Sequence, residues 1–251
     1  MTRPPVDTRT CLPTLLSRTR AVLFDFDGPV CDLFGGRSTK PVAQEIKEMA
    51  RQKWSVLDQA VEACEDSHGV LRYLGEMRVR TQDDSLDPTA LDAADDIVTR
   101  HEYEAVRDAV PAPEIHTAVD ALLELGKRLV IVTNNAEGPV REFLEHRGMS
   151  GKFEAVCGRD RREPHRMKPD PSSVHCALRR LGGMNPADTV LVGDQITDLQ
   201  AAASAGVRFL GYSNDDERSG NLRQGGARCV IRAHTELVEA CRLPPVSCPR
   251  P

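Results

Sequence analysis

The chain has 251 residues, 40% hydrophobic and 28% charged, enough for one large domain or for a domain carrying a sizeable insertion. Its net charge of −5 argues against nucleic acid as a partner, because backbone phosphates are held by clustered Lys and Arg. No apolar run approaches the ~18 residues of a membrane helix. Met1–Arg20 lacks the continuous apolar centre of a secretory signal. Composition therefore predicts a cytoplasmic protein acting on a small molecule, with no membrane partner, and leaves its oligomeric state open.

Residues 1–18 read as a flexible N-terminal tail. The run Ala21-Val22-Leu23-Phe24 then enters Asp25-Phe26-Asp27-Gly28-Pro29, the pattern of a buried strand ending in a tight turn. Strand residues i and i+2 share a side, so Asp25 and Asp27 converge unless the turn redirects one of them. Two like charges that close persist only with a cation or a shared proton, which points to a metal-assisted site.

After a hinge-like Gly35-Gly36, residues 35–110 read as an all-helical inserted domain with no strand. Val42, Ile46 and Met49 recur at helical spacing, as do Leu57, Val61 and Cys64, and Leu91, Ala94 and Val98 repeat the stripe. Residues 31–110 carry 10 Lys or Arg against 17 Asp or Glu, a surplus expected to face solvent. Trp54, Tyr73 and Tyr103 are expected to be core aromatics of this block.

Pro111-Ala112-Pro113 marks the return to a core spanning 19–34 and 111–242, followed by a C-terminal tail over 243–251. A helix carrying Val119, Leu122 and Leu123 ends at Gly126, and strands are predicted at 128–132, 153–157, 189–192, 207–210 and 229–231. Helices at 137–146, 172–181 and 196–205 separate them. Such alternation defines an α/β fold, a doubly wound, Rossmann-like parallel sheet whose ligand site lies at the carboxyl ends of the strands.

The residues leaving those strands form a coherent set: Asp25 and Asp27, then Thr133-Asn134-Asn135, then Gly193-Asp194 and, one turn on, Asp198. Carboxylate oxygens of this kind suit Mg²⁺ better than Zn²⁺. Thr133 and the backbone N–H groups after it, beginning at Asn134, can hold phosphate oxygens, and Lys168, just ahead of a helix that Pro171 can start, balances the carboxylates. Arg37 reads as a solvated side chain beside the hinge, and Arg159, Arg161, Arg162, His165 and Arg166 as a solvated basic loop. The eight cysteines have neither zinc nor redox spacing and read as inert thiols.

In this order the motifs resemble those of the haloacid dehalogenase superfamily: Asp25-Phe26-Asp27-Gly28 the first, Thr133 the second, Lys168 the third, and Gly193-Asp194 with Asp198 the fourth. The helical block is similar to the superfamily's C1-type cap, as in phosphoglycolate phosphatase-like and β-phosphoglucomutase-like members. The resemblance implies a Mg²⁺-dependent phosphatase of small phosphorylated metabolites. Asp25 is then the nucleophile that forms an aspartyl-phosphate, and Asp27 the general acid and base. It makes Asp25, Asp194 and the Asp27 carbonyl the metal ligands, with Asp198 holding a metal-bound water or Lys168. A sugar phosphomutase and a non-catalytic binding protein are the alternatives. Pro29 departs from the pattern, which has Thr there.

Overall fold

The computed structural model describes residues 8–81, 86–87 and 89–243. It opens with helix α1 (Thr8–Ser17), strand β1 (Ala21–Phe24) and the short strand β2 (Cys31–Asp32). Four helices follow: α2 (Lys40–Trp54), α3 (Gln59–Ala63), α4 (Ser67–Thr81) and α5 (Thr89–Asp108). The chain returns through β3 (Val110–Pro111) and α6 (Ile115–Glu124) to β4 (Arg128–Val132), α7 (Glu137–His146), β5 (Ala155–Cys157) and α8 (Ser172–Arg180). It continues with β6 (Thr189–Gly193), α9 (Ile196–Ser204), β7 (Arg208–Tyr212), α10 (Asp216–Gln224), β8 (Val230–Ile231) and α11 (His234–Arg242).

Six strands form one parallel sheet in the order β5-β4-β1-β6-β7-β8. Every residue of β1 and β6 is buried, as unbroken apolar runs require when helices cover both faces. The chain leaves β1 toward β4 and leaves β6 toward β7, so connections diverge between these two central neighbours and open a crevice at their carboxyl ends. Asp25 and Asp194 stand at that crevice.

Helices α2 to α5 bury their own apolar stripe, including Val42, Ile46, Val61, Leu74 and Val98, in a cluster apart from those of the sheet. Trp54 belongs to this core and donates its indole N–H to the Asp87 carbonyl at 2.9 Å, while Tyr73 packs against it. The Leu57–Cys64 stripe is helical only over Gln59–Ala63.

The sheet-free reading of this region is corrected at its borders. β2 and β3 pair antiparallel, Cys31 with Pro111 and Asp32 with Val110, and tie the two crossings into one ribbon. The N-terminal tail is also corrected for residues 8–17, which form α1 with Leu12 and Leu16 buried. Lys127 closes its end by donating to the carbonyls of Leu16 at 3.0 Å and Thr19 at 2.6 Å. Residues 1–7 and 244–251 lie outside the described residues. Cys11 and Cys229 form a disulfide joining α1 to the approach of β8, which corrects the inert-thiol reading for this pair.

Candidate active site

A turn that only a few residues could make shapes the mouth of β1. Gly28 has φ 101°, and a Cβ on it would lie 2.7 Å from the Asp194 carboxyl carbon, so glycine is required both by conformation and by space. The N–H groups of Val30 and Cys31 donate to the Phe26 carbonyl, and that of Gly28 to Cys31. None of these donors is residue 29, so proline fits there. Its carbonyl faces His234 Nε2 at 2.7 Å from the start of α11. His234 is fully buried, which lowers its pKa to about 4 and keeps it neutral.

The turn separates the two aspartates. Asp25 Oδ1 accepts the Phe26 N–H at 2.7 Å and meets Lys168 Nζ at 2.7 Å, leaving Oδ2 without a hydrogen bond among the described residues. Asp27 Oδ1 accepts the Leu33 N–H at 2.9 Å. Burial raises the pKa of Asp27, with the Leu33 hydrogen bond opposing. Burial and Asp198 push Asp25 well above the usual carboxylate range, against the pull of Lys168.

Lys168 is 3% exposed and bridges two elements, meeting Asp198 Oδ1 at 2.6 Å as well as Asp25. Burial opposes its charge, but the two carboxylates outweigh it and raise its pKa. Asp198 turns its other oxygen to the Gln195 N–H at 3.0 Å, half of a capping box that starts α9. Both ends of the Asn134 amide go to the Lys168 backbone: Oδ1 accepts its N–H at 2.8 Å and Nδ2 approaches its carbonyl at 3.4 Å. The side chain thus orients the lysine loop, leaving the Asn134 backbone N–H for an anion.

Asp25, Asp194 and Asp198 each offer a carboxylate oxygen within 4.8 Å of the others. Asp194 Oδ2 meets Arg218 Nη1 of α10 at 2.6 Å and accepts from Gln195 Nε2 at 3.0 Å, whereas Oδ1 is buried with no hydrogen-bond partner. Burial and Asp198 raise the Asp194 pKa to about 7 despite Arg218. A buried anionic oxygen without a donor, inside a carboxylate triad, is what a bound divalent cation satisfies. The donor set fits such an ion.

The cleft over these groups encloses about 1280 Å³. The helical block supplies Thr39, Cys64, Asp66, His68 and Arg72 to its wall, and the hinge supplies Arg37. Asp66 caps α4 by accepting the Gly69 N–H at 2.6 Å, which brings His68 to the first turn of that helix. Arg37 donates to the Phe34 carbonyl at 3.1 Å and has no carboxylate partner among the described residues. Trp54, Tyr73 and Tyr103 do not line this cleft.

The basic loop expected to be solvated is exposed at Arg161, Arg162 and Arg166 but not at Arg159. Arg159 is buried and holds Asp95 and Glu102 of α5, each at 2.6 Å. Arg161 reaches Asp92 at 2.9 Å and Asp96 at 2.6 Å on the same helix. Part of the acidic surplus therefore faces the core. Glu102 continues the Leu91–Val98 stripe one turn on, which was the available signal; Arg218 and His234 lay in stretches without a motif.

A parallel sheet carrying a carboxylate triad and a lysine at its carboxyl edge, under an inserted helical block, is the frame of a Rossmann-like enzyme with a site suited to a divalent cation. The chain belongs to the haloacid dehalogenase-like hydrolase family, whose sequence pattern matches residues 19–206. It is 28% identical over 204 residues to the phosphoglycolate phosphatase of Rhodospirillum rubrum, 78% of this chain and 82% of that one. It is 30% identical over 146 residues to the phosphoglycolate phosphatase of Caulobacter vibrioides, 57% of this chain and 59% of the relative, so this match spans little more than half of that protein. CbbY from Rhodobacter sphaeroides, solved in complex with phosphate, superposes with a TM-score of 0.59 at 19% identity, covering 90% of this chain and 100% of its own. Among the described residues no helix is long and apolar enough to cross a membrane.

Proposed function

We propose that the protein is a Mg²⁺-dependent phosphatase that hydrolyses a small phosphorylated metabolite through an aspartyl-phosphate on Asp25. The observation that carries this reading is the Asp25 carboxylate, one oxygen held by Lys168 and the Phe26 N–H and the other free at the cleft. Relatives that are phosphoglycolate phosphatases support it.

Asp25 Oδ2 attacks phosphorus while Lys168 anchors Oδ1 and offsets the negative charge that gathers between the two. Thr133 and the N–H groups after it hold the phosphoryl oxygens. Asp27, whose pKa burial raises, protonates the leaving oxygen and then takes a proton from the attacking water. Asp25 and Asp194, whose carboxylate oxygens lie within 4.8 Å of each other and of Asp198, would hold Mg²⁺ together with the Asp27 carbonyl that the family resemblance adds, and Asp198 fixes Lys168. When bound there, the ion would supply positive charge against that of nucleophile and phosphate. Residues 35–110 act as the lid that excludes bulk water and selects the leaving group.

Phosphate release from p-nitrophenyl phosphate in MgCl₂ tests this. Asp25→Asn is expected to lower it by about a thousandfold or more, and EDTA to abolish it reversibly. Undiminished turnover in Asp25→Asn would remove the nucleophile, and full activity in EDTA would remove the metal.

A further inference from the structure

Glu102 lies in the last helix of the lid and is fully buried, yet four donors from three separate segments converge on it. His68 Nε2 of α4 lies 2.8 Å from Oε1, and Arg159 Nη1, from the loop after β5, lies 2.6 Å from the same oxygen. The other two donors belong to the loop that follows β4. Asn135 Nδ2 donates to Oε1 at 3.1 Å and the Ala136 N–H to Oε2 at 3.0 Å.

A carboxylate accepts and never donates, so it dictates the polarity of everything around it. His68 must carry its hydrogen on Nε2. Asn135 must present its NH₂ group, which leaves Oδ1 to receive the Thr133 hydroxyl at 2.7 Å. The Asn135 N–H in turn donates to Thr133 Oγ1 at 3.1 Å, pinning that oxygen. Thr133 is the hydroxyl assigned above to the phosphoryl group; its one hydrogen goes to Asn135 here and turns to a phosphoryl oxygen only when the anion binds, while the Asn135 N–H keeps the oxygen in place.

We propose that Glu102 is a positioning residue: from the lid it fixes Asn135 and Ala136, and through them places Thr133 and the neighbouring N–H groups that bind phosphate. The inference rests on the phosphatase reading for its consequence in catalysis, but its first consequence is phosphate binding. Glu102→Gln keeps the shape and replaces one acceptor oxygen by an NH₂ group, so at least one of the four donors then faces another donor. The loop must shift to relieve it. Because Glu102 lies behind the loop, the loss comes from geometry rather than from a missing contact.

The test is calorimetric titration of the full chain with inorganic phosphate in MgCl₂, with turnover of p-nitrophenyl phosphate and the thermal midpoint measured alongside. Glu102→Gln is expected to weaken phosphate binding and to lower kcat/KM by about tenfold or more. Asn135→Ala, which leaves the buried ion pairs of Glu102 intact, is expected to do the same. The double variant should lose less than the product of the two single losses. Asp95→Asn weakens the other buried carboxylate contact of Arg159 and leaves in place the bonds of Arg159 to Glu102 at 2.6 Å and to the Asn134 carbonyl at 3.2 Å. It is expected to lower the thermal midpoint while leaving phosphate affinity within about twofold of wild type.

Unchanged phosphate affinity in Glu102→Gln would overturn the inference, as would multiplicative losses in the double variant. So would an equal loss of affinity in Asp95→Asn, which would make the effect one of general destabilisation. Wild-type protein that binds phosphate without hydrolysing the ester would defeat the phosphatase reading alone, and calorimetry would still decide the role of Glu102. Protein that neither binds nor hydrolyses would defeat both.

Discussion

At the residue scale the site is governed by close approach. Gly28 sits with φ 101° and its Cα hydrogen against the Asp194 carboxylate, and a methyl group there would press on Asp194 from 2.7 Å. Gly28→Ala is therefore expected to displace Asp194 and raise the MgCl₂ concentration for half-maximal activity by about tenfold, the scale on which disturbed support of a ligand acts. A titration of phosphate release against MgCl₂ checks this, and an unchanged midpoint would mean that Asp194 does not hold the ion. Proline at 29 is accounted for at the same scale. The turn draws its donors from Gly28, Val30 and Cys31, and the residue's carbonyl is held by His234.

At the scale of elements, the contact of α5 with the loop after β5 joins the helical block, the proposed lid, to the sheet. Arg159 is charged against Asp95 and Glu102 where water does not reach, so its removal takes the nearest cation from two buried carboxylates, leaving Asp95 with Arg161 only at 3.9 Å and Glu102 with the donors of His68, Asn135 and Ala136. Arg159→Met is expected to lower stability by about 3–5 kcal/mol, read from urea unfolding. A midpoint equal to that of wild type would mean that the lid is held by its other contacts alone.

The acid behaviour of this junction has a definite sign. Burial pushes the Glu102 carboxyl up, but Arg159, His68 and the Ala136 N–H outweigh it, so its folded pKa lies below the unfolded one. Its ionised form therefore stabilises the fold in full above the unfolded pKa, and that contribution is lost as pH falls through the folded value. The gap in urea midpoint between wild type and Glu102→Gln should accordingly be constant near neutrality and narrow below about pH 4. A gap that widens in acid would contradict the assignment.

At the scale of the whole molecule, α1 is attached to the far side of the sheet by Leu12 and Leu16, by Lys127 and by the Cys11–Cys229 disulfide. The bond closes a loop of 218 residues, and constraining so long a loop in the unfolded chain is worth about 2–5 kcal/mol. Dithiothreitol is expected to lower the thermal midpoint of wild type, with Cys229→Ser starting low and insensitive to it. Equal response in both would mean that the pair is not joined in solution. A reducing cytosol would keep these thiols apart, so the state of this pair in protein taken directly from cells also reports on the compartment.

What the sequence by itself determined was whatever depends on local order. Continuous apolar runs separated by helical stripes specify a parallel sheet, and the polar residues at the ends of these runs, with Lys168 ahead of the next helix, mark a candidate site: Asp25, Thr133, Lys168, Asp194 and Asp198 line one cleft. Helices such as Glu137–His146 followed from the same periodicity. Helix α10 did not, because its nine residues bury only Ser219 and Leu222 and carry no apolar stripe. Only the tertiary structure decided the partners of charge. Glu102 and Arg159 are separated by 57 residues, and Cys11 and Cys229 by 218. An acidic helix and a basic loop each read as solvent-facing until the fold sets them against one another, because the sign of a charge shows in the sequence and its dielectric surroundings do not.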